Sequence, residues 1–88
     1  MISRTVTVPN RLGIHARPAA LLVKTAAEFA SDIEIVFGGD RVNAKSIMGV
    51  MTLAAGKGSD LVLEADGPDE EEAVKALAAV VLDGFGED

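Results

Sequence analysis

Cysteine is absent from this chain of 88 residues, and aromatic side chains are rare. The absence of cysteine excludes a disulfide framework and thiolate chemistry, and it argues against secretion of so small a protein. Because aromatic residues make up only 3% of the chain while apolar residues reach 49%, the core has to be built from alanine, valine, leucine and isoleucine. This composition predicts a globular protein of the cytoplasm.

Long hydrophobic runs are also missing. No stretch approaches the roughly 20 apolar residues of a membrane span, and the N-terminus shows neither the apolar region of a signal peptide nor a lipidation motif. We therefore expect no membrane insertion. The chain is also too short to bury two separate cores, so residues 1–88 are expected to form a single domain.

Basic residues are scarce in the last third of the chain. Residues 60–88 contain ten acidic side chains against one lysine, whereas residues 1–59 contain seven basic and four acidic side chains. The net charge of −6 argues against a generic nucleic-acid binder, because phosphate backbones are bound by an excess of lysine and arginine. The basic part of the chain is the part that can face an acidic partner.

Hydrophobic periodicity predicts the element order β-α-β-β-α-β-α. The predicted strands cover residues 2–8, 33–37, a short run after the turn at Gly38 and Gly39, and 60–66, and the predicted helices cover Ala16 to about Phe29, residues 47–55 and a segment that begins near Asp69. This order is typical of an α+β fold in which three helices lie on one face of a four-stranded, mainly antiparallel sheet.

Each predicted helix has its own start signal. Pro18 suits the first turn of the first helix, because the N–H that proline lacks would have no partner there. Ser46 is placed to cap the second helix through its hydroxyl group. Asp69 and Glu72 have capping-box spacing at the start of the third helix, within a run of carboxylates that complements the helix dipole.

The only histidine, His15, directly precedes the first helix in the segment GIHARPA. A lone histidine at such a place is usually a solvated or structural residue. One histidine without cysteine does not make a conventional zinc site, so we expect no metal, and no sequence signature of a Ser/His/Asp triad accompanies it. The remaining chemical role is that of a nucleophile in its own right.

A phosphoryl group is the electrophile that this position would accommodate. The positive end of the helix dipole favours the neutral, nucleophilic ring of His15 over the imidazolium. The N–H groups of Ala16 and Arg17 would be free to bind phosphate oxygens, and the Arg17 guanidinium would add a permanent charge, although a solvated Arg17 is the plainer alternative. No cofactor is needed. Because the sequence has no P-loop or Walker lysine, the donor and acceptor are expected to be other proteins.

The segment KSIMGVM has apolar residues around most of a short helix, so part of them should remain exposed. A helix wedged into the core is the alternative, and the two interpretations stay open at this point. Exposed methionines would give adaptable contact area for more than one partner. A phosphate on Ser46 would add negative charge beside them. The predicted docking surface combines this helix with the outer side of the first helix and consists of Ala20, Leu21, Lys24, Lys45, Ile47, Met48 and Met51.

Taken together, GIHARPA around His15 and KSIMGVM around Ser46 resemble the HPr family, the histidine-containing phosphocarriers of the phosphoenolpyruvate-dependent sugar phosphotransferase system. The resemblance covers essentially the whole chain. It implies an open-faced β-sandwich of four antiparallel strands and three helices. It also implies that His15 accepts a phosphoryl group at Nδ1 from phosphorylated enzyme I and passes it to the A component of a sugar-specific enzyme II. The protein would then be a monomeric carrier rather than a turnover enzyme.

The resemblance further implies that Arg17 stabilises the phosphate, that an HPr kinase/phosphorylase modifies Ser46, and that residues 47–51 dock to partners. Two alternatives remain within the family. One is a mainly regulatory protein whose phosphorylated Ser46 controls binding to a transcriptional regulator, and the other is a carrier of a nitrogen-related branch. Outside the family, the alternative is a small α/β binding module in which His15 has no chemical role.

Overall fold

Four strands form one antiparallel sheet in a computed structural model that describes residues 1–87. The strand order is β1-β4-β2-β3. The elements are β1 (Ile2–Thr7), α1 (Ala16–Ala26), β2 (Asp32–Phe37), β3 (Asp40–Asn43), α2 (Ile47–Met51), β4 (Asp60–Asp66) and α3 (Glu70–Leu82), followed by a short 3-10 turn (Gly84–Gly86). The predicted order of strands and helices and the predicted α+β class are confirmed.

The sheet has one buried and one open face because its strands alternate in polarity. In the inner strand β4, Leu61, Leu63 and Ala65 are buried, whereas Val62 and Glu64 are only partly covered. The strands β1 and β2 flank β4, and both are antiparallel to it. One side of the sheet is therefore hydrophobic and carries the helices, which confirms the predicted open-faced sandwich.

The helices α1 and α3 contact each other, and α3 lies against β1 and β4. Leu22 of α1 and Leu77 of α3 have no exposed surface. The shorter α2 lies against α1 and β3, and it is anchored by the fully buried Val50. Of the three phenylalanines only Phe85 is buried, so the core is mainly aliphatic, as the composition predicts.

Two helices are shorter than predicted. The helix α1 ends at Ala26 instead of Phe29, and α2 ends at Met51 instead of residue 55. The N–H groups of Glu28 and Phe29 donate to carbonyl groups three residues back, both at 3.2 Å, which is the pattern of a tightened last turn. After α2, Ala54 adopts a positive φ of 53°, and this conformation turns the chain out of the helix.

Asp69 precedes α3, but its side chain does not cap that helix, so the predicted capping box with Glu72 is wrong. The carboxylate instead accepts hydrogen bonds from the N–H groups of Ala30 and Ser31, both at 2.9 Å, and from the Ser31 hydroxyl group at 2.5 Å. The hydrogen bond from the Ser31 hydroxyl group, followed by those from the backbone, lowers the pKa of Asp69. The Asp69 carboxylate thus accepts from distant donors instead of from the N–H groups at the start of α3. These hydrogen bonds link the connection between α1 and β2 to the start of α3.

Replacing Asp69 with asparagine is expected to lower the midpoint of thermal unfolding at pH 7 by about 5 °C or more, because a neutral amide oxygen does not replace a charged acceptor of three hydrogen bonds. The pKa of Asp69 is lowered in the folded protein. The stabilisation is therefore present above the ordinary carboxyl value of 3.8 and is lost as the pH falls through that value toward the lowered one. Unfolding curves at decreasing pH should show the variant and the wild type converging. Glu71→Gln, in the exposed first turn of α3, is the control, and a difference independent of pH would contradict this prediction.

Candidate functional site

His15 occupies the N-cap position of α1 with an extended backbone (φ −106°, ψ −167°). Two contacts hold the loop before His15 in place. The N–H group of Ile14 donates to the Ala55 carbonyl group at 2.8 Å, and the Ile14 side chain is buried in the core. Gly13, with a φ of +69°, passes so close to Ala55 and Gly56 that no side chain would fit there. These contacts of the loop place the His15 side chain, which is 39% exposed, at the start of α1.

The first turn of α1 offers two N–H groups next to His15. The N–H group of Ala19 is the first to bond within the helix, to the His15 carbonyl group at 2.9 Å, and Pro18 has no N–H. Among residues 1–87, the N–H groups of Ala16 and Arg17 have no acceptor. These donors, the exposed Arg17 side chain and the positive end of the helix dipole favour an anion beside the ring.

The ring of His15 also contacts Glu87, which follows the turn after α3. The distance from His15 Nε2 to Glu87 Oε1 is 2.9 Å, and the same carboxylate oxygen accepts a hydrogen bond from Asn10 Nδ2 at 2.8 Å. Asn10 is fully buried, and its Nδ2 also donates to the Gly13 carbonyl group at 2.9 Å. One side-chain amide therefore connects the loop before His15 with the carboxylate that contacts the ring.

Phe85 brings Glu87 to this place. In the turn after α3, the Phe85 side chain is buried while its backbone adopts a left-handed conformation (φ 59°, ψ 28°). That conformation costs a non-glycine residue about 1–2 kcal/mol, and burial of a phenylalanine side chain, which stabilises by about 1.5–3 kcal/mol, offsets the cost. Because only Gly86 separates Phe85 from Glu87, anchoring the ring of Phe85 also anchors the carboxylate.

The charge of Glu87 follows from its neighbours. The hydrogen bond with His15, and after it the hydrogen bond from Asn10, lowers the pKa of Glu87. The positive charge of Arg17 acts in the same direction. The carboxylate is thus ionised at neutral pH, and an ionised carboxylate only accepts hydrogen bonds.

The sequence alone does not indicate that Asn10 and Glu87 lie near His15. These two residues contact each other although 77 positions separate them in the chain. No local spacing pattern connects either residue with His15. The one signal in the sequence is Phe85, an isolated aromatic residue between two glycines in an acidic segment, because phenylalanine is among the residues that are most often buried. Leu12, three residues before His15 and 67% exposed, is an apolar surface residue that the predicted docking surface omits.

The predicted docking surface lies across α1 and α2, which contact each other. While Val50 anchors α2 in the core, Ile47, Met48 and Met51 remain 43%, 76% and 45% exposed. The two interpretations of KSIMGVM, a helix wedged into the core and a helix with exposed apolar residues, therefore both hold in part. One side of α2 is buried in the core, and the other side is exposed. The α1 part of the surface consists of the exposed Ala20 and Lys24 and the half-buried Leu21.

Two residues before α2 have defined hydrogen-bond partners. Ser46 Oγ accepts a hydrogen bond from the N–H group of Gly49 at 3.2 Å, which confirms the predicted N-cap, and Ser46 itself is exposed. Lys45 is half-buried, and its Nζ donates to the Phe29 carbonyl group at 2.8 Å. Through this hydrogen bond, the ammonium group of Lys45 also stabilises the segment that follows α1.

Within residues 1–87 no group of three or more histidine, cysteine, aspartate or glutamate side chains is placed to hold a metal ion. In the same part of the chain, no helix combines the length and the apolar character needed to cross a membrane. The Glu87 carboxylate contacts the ring of His15, and the first turn of α1 contributes the N–H groups of Ala16 and Arg17 and the Arg17 side chain, whose positive charge acts on Glu87.

Comparisons with known proteins agree with this architecture. The sequence matches the family model described as PTS HPr component phosphorylation site over residues 2–83. The phosphocarrier protein HPr of Cupriavidus necator is 52% identical over 87 residues, which is 99% of this chain and 98% of that protein. The phosphocarrier protein HPr of Treponema pallidum is 52% identical over 88 residues, covering 100% of both. A crystal structure of HPr-C-His from Thermoanaerobacter tengcongensis has a TM-score of 0.95 at 48% identity, covering 100% of this chain and 99% of that one.

The open-faced sandwich with a histidine at the start of α1 is thus the architecture of a small phosphocarrier protein. Because the family model covers most of the chain and the curated relatives match over nearly their full length, the resemblance of the sequence is confirmed. The chain belongs to the HPr family of phosphocarrier proteins of the phosphotransferase system.

Proposed function

We propose that this protein carries phosphoryl groups on Nδ1 of His15, receiving them from phosphorylated enzyme I and delivering them to the A component of a sugar-specific enzyme II. The placement of His15 carries the proposal. His15 directly precedes two N–H groups without an acceptor in the described chain, and the contact with Glu87 engages Nε2 while Nδ1 makes no capping hydrogen bond. Family membership supports partners within the phosphotransferase system. The protein acts as a monomeric carrier rather than as a turnover enzyme, and it uses no cofactor.

The transfer is a displacement at phosphorus. In the first step the lone pair of His15 Nδ1 forms the bond to phosphorus, while the bond to the donor breaks and its electron pair stays with the donor. The phosphoryl oxygens then lie near the N–H groups of Ala16 and Arg17 and near the Arg17 guanidinium, which stabilise their negative charge. In the second step a nucleophile of the acceptor protein attacks phosphorus, and the electron pair of the N–P bond returns to Nδ1.

Intact-mass spectrometry tests this function directly. Incubation with enzyme I and phosphoenolpyruvate should add the mass of one phosphoryl group to the protein, and peptide mapping should place it on His15. The group should be lost in acid, as expected of a phosphohistidine, and it should leave when an enzyme II A component is added. Parallel assays with sugar-specific and nitrogen-related A components distinguish the two branches. Absence of the added mass, or an acid-stable group at another residue, would contradict the proposal.

The docking surface is the part of the protein that we assign to partner binding. Replacing Met48 with aspartate should weaken binding of enzyme I by at least about tenfold, because the contact loses a buried apolar side chain and gains a charge that must be desolvated. Stability should change little, since Met48 is 76% exposed. The matched control is Leu82→Asp, at the end of α3 and 56% exposed. Equal dissociation constants for the two variants, measured by calorimetry, would exclude Met48 from the docking surface.

A second function, regulation through phosphorylation of Ser46, is favoured by one observation. Ser46 is exposed and directly precedes the exposed Ile47 and Met48, so a phosphate there would place negative charge beside the docking surface. An HPr kinase/phosphorylase would add the phosphate, and a transcriptional regulator would bind the modified form. The expected product is an ATP-dependent, acid-stable phosphate that is absent from Ser46→Ala. An unmodified wild-type protein after incubation with the host's kinase would count against this function.

A further inference from the structure

All the oxidisable sulfur of this chain belongs to three methionines. Cysteine, tryptophan and tyrosine are absent from the sequence. The thioether of methionine is soft and polarisable, and peroxides convert it to a polar sulfoxide that methionine sulfoxide reductases convert back. Mild oxidation of this protein is therefore directed to Met1, Met48 and Met51.

Two of the three methionines lie on the docking surface. Met48 and Met51 of α2 are 76% and 45% exposed. Met1 is 72% exposed and precedes β1, where its ammonium group lies 3.2 Å from Glu70 Oε2. A peroxide dissolved in water therefore reaches methionine side chains at both places without unfolding the protein, but only those of α2 belong to the surface that binds partners.

The helix α2 does not depend on the two methionine side chains for its own structure. Its contact with the core is made by the fully buried Val50. At its start the Ser46 hydroxyl group accepts from the N–H group of Gly49 at 3.2 Å, and at its end the Thr52 hydroxyl group donates to the Gly49 carbonyl group at 2.6 Å. An oxygen atom added to either exposed thioether thus changes the surface of α2 and leaves its anchor and its caps in place.

We propose that Met48 and Met51 form a reversible oxidation site, at which a peroxide converts the two thioethers to sulfoxides and thereby weakens the binding of enzyme I. This inference rests on the proposed function, because it takes the docking surface as the surface that enzyme I contacts. His15 itself is not modified. Oxidation therefore controls how often the carrier meets its phosphoryl donor, and the chemistry at the histidine stays the same.

The oxidation transfers one oxygen atom and two electrons at each sulfur. A sulfur lone pair forms the bond to one oxygen of hydrogen peroxide while the O–O bond breaks, and the proton of the transferred oxygen passes to the leaving hydroxide. The products are the sulfoxide and water, so sulfur is oxidised and the peroxide is reduced. In the reverse direction a reductase oxidises two thiols to a disulfide and releases the sulfoxide oxygen as water. Because this chain has no cysteine, those thiols belong to another protein.

The chemistry of the docking surface explains why a sulfoxide weakens binding. The sulfoxide oxygen holds water, and that water has to be removed when a partner covers the helix. The helix α2 has no charged or hydrogen-bonding side chain to compensate for the loss, since its sequence is IMGVM. The ammonium group of the neighbouring Lys45 is already engaged by the Phe29 carbonyl group at 2.8 Å. Two sulfoxides therefore replace apolar contact area with polar groups that lack partners on their own helix.

Single-turnover transfer from phosphorylated enzyme I tests the inference on the wild-type protein before and after oxidation. The protein is treated with hydrogen peroxide until intact mass shows one added oxygen for each of its three methionines, and the peroxide is then removed. The half-saturating enzyme I concentration should rise about tenfold, whereas the rate constant at saturation should stay within about twofold, because His15 is unchanged. Methionine sulfoxide reductases A and B with a dithiol should restore the original value, and both are needed because each reduces one sulfoxide epimer.

The double variant Met48→Leu/Met51→Leu is the matched control, because leucine has a similar volume and contains no sulfur. Met1 is the one methionine left in it, so peroxide still adds one oxygen outside the docking surface. Its half-saturating concentration after treatment, compared with its own value before treatment, should change by less than about twofold.

Three results would overturn the inference: an unchanged half-saturating concentration in the oxidised wild type, an equal rise in the double variant, or no recovery with the two reductases. The unfolding temperature of the oxidised wild type should stay within about 4 °C of the untreated value, and a larger fall would show that the sulfoxides disturb the fold instead of the docking surface. An untreated wild type that takes no phosphoryl group from enzyme I would refute the proposed function itself.

Discussion

Replacement of His15 by alanine is expected to abolish acid-labile phosphorylation, with a transfer rate at least about 1,000-fold below that of the wild type. His15 is the only histidine of the chain, so the variant has no other imidazole to take over as nucleophile. The fold should remain intact, with the free energy of unfolding lowered by no more than about 1.5 kcal/mol. The reason is that the partly exposed His15 side chain makes no capping hydrogen bond to α1, so the variant loses only the hydrogen bond with Glu87.

Mass spectrometry after incubation with enzyme I and phosphoenolpyruvate measures this loss, and thermal unfolding verifies that the variant is folded. Arg11→Ala, at an exposed position of the same loop, is the control and should accept the phosphoryl group as the wild type does. Label that persists in His15→Ala would refute the assignment of the acceptor. Unchanged partner binding and phosphorylation in both His15→Ala and Arg17→Ala would favour the alternative of a simple binding module.

Replacement of Gly13 by alanine is expected to destabilise the protein by about 3 kcal/mol, which is the sum of a backbone cost at positive φ and the cost of overpacking. Gly13 has a φ of +69°, and a Cβ atom there would clash with the Ala55 carbonyl oxygen and lie 2.7 Å from Gly56 Cα. Because these are backbone atoms, the clash cannot be relieved by rotating a side chain. The unfolding temperature should fall by about 10 °C or more.

The same substitution should slow phosphoryl transfer by about 100-fold, because the displaced loop carries the backbone that positions His15 and a displacement of about 1 Å is enough for a loss of this size. The control is Gly38→Ala, which has a similar φ of +58° but open space around the added atom. It should cost only about 1–2 kcal/mol and leave the transfer rate unchanged. Chemical denaturation and single-turnover kinetics of both variants distinguish the clash from the backbone effect. Equal stabilities of the two variants would contradict the close contact at Gly13.

The elements that the sequence predicts well are those with strong local periodicity. The strand at residues 60–66 has the predicted bounds, since its alternation of apolar and polar residues is regular and its ends are marked by aspartates. The cap of α2 by Ser46 is also confirmed, because capping depends only on residues within one turn of the helix. The start of α1 at Ala16 agrees with the position of Pro18 for the same reason.

The features that the sequence does not predict depend on contacts between distant residues. Asp69 has the local pattern of a cap, but the donors of Ala30 and Ser31 take its carboxylate, and they lie 39 and 38 positions away. The contact between His15 and Glu87 spans 72 positions. Neither contact leaves a pattern in the local sequence. Periodicity and spacing therefore predict His15 and the helix after it, but they do not predict the contacts of the buried Asn10 and of the Glu87 carboxylate.

The left-handed turn at Phe85 fixes the position of Glu87 relative to the buried ring of Phe85. One residue, Gly86, separates the anchored ring from Glu87, and each residue of extended chain spans about 3.3 Å. A hydrogen bond tolerates only a few tenths of an ångström, so inserting or deleting a single residue between Phe85 and Glu87 would carry the carboxylate out of reach of the ring without altering the charge of the tail. The spacing of the last residues, measured from Phe85, is therefore as much a part of the site as the identity of the residues themselves.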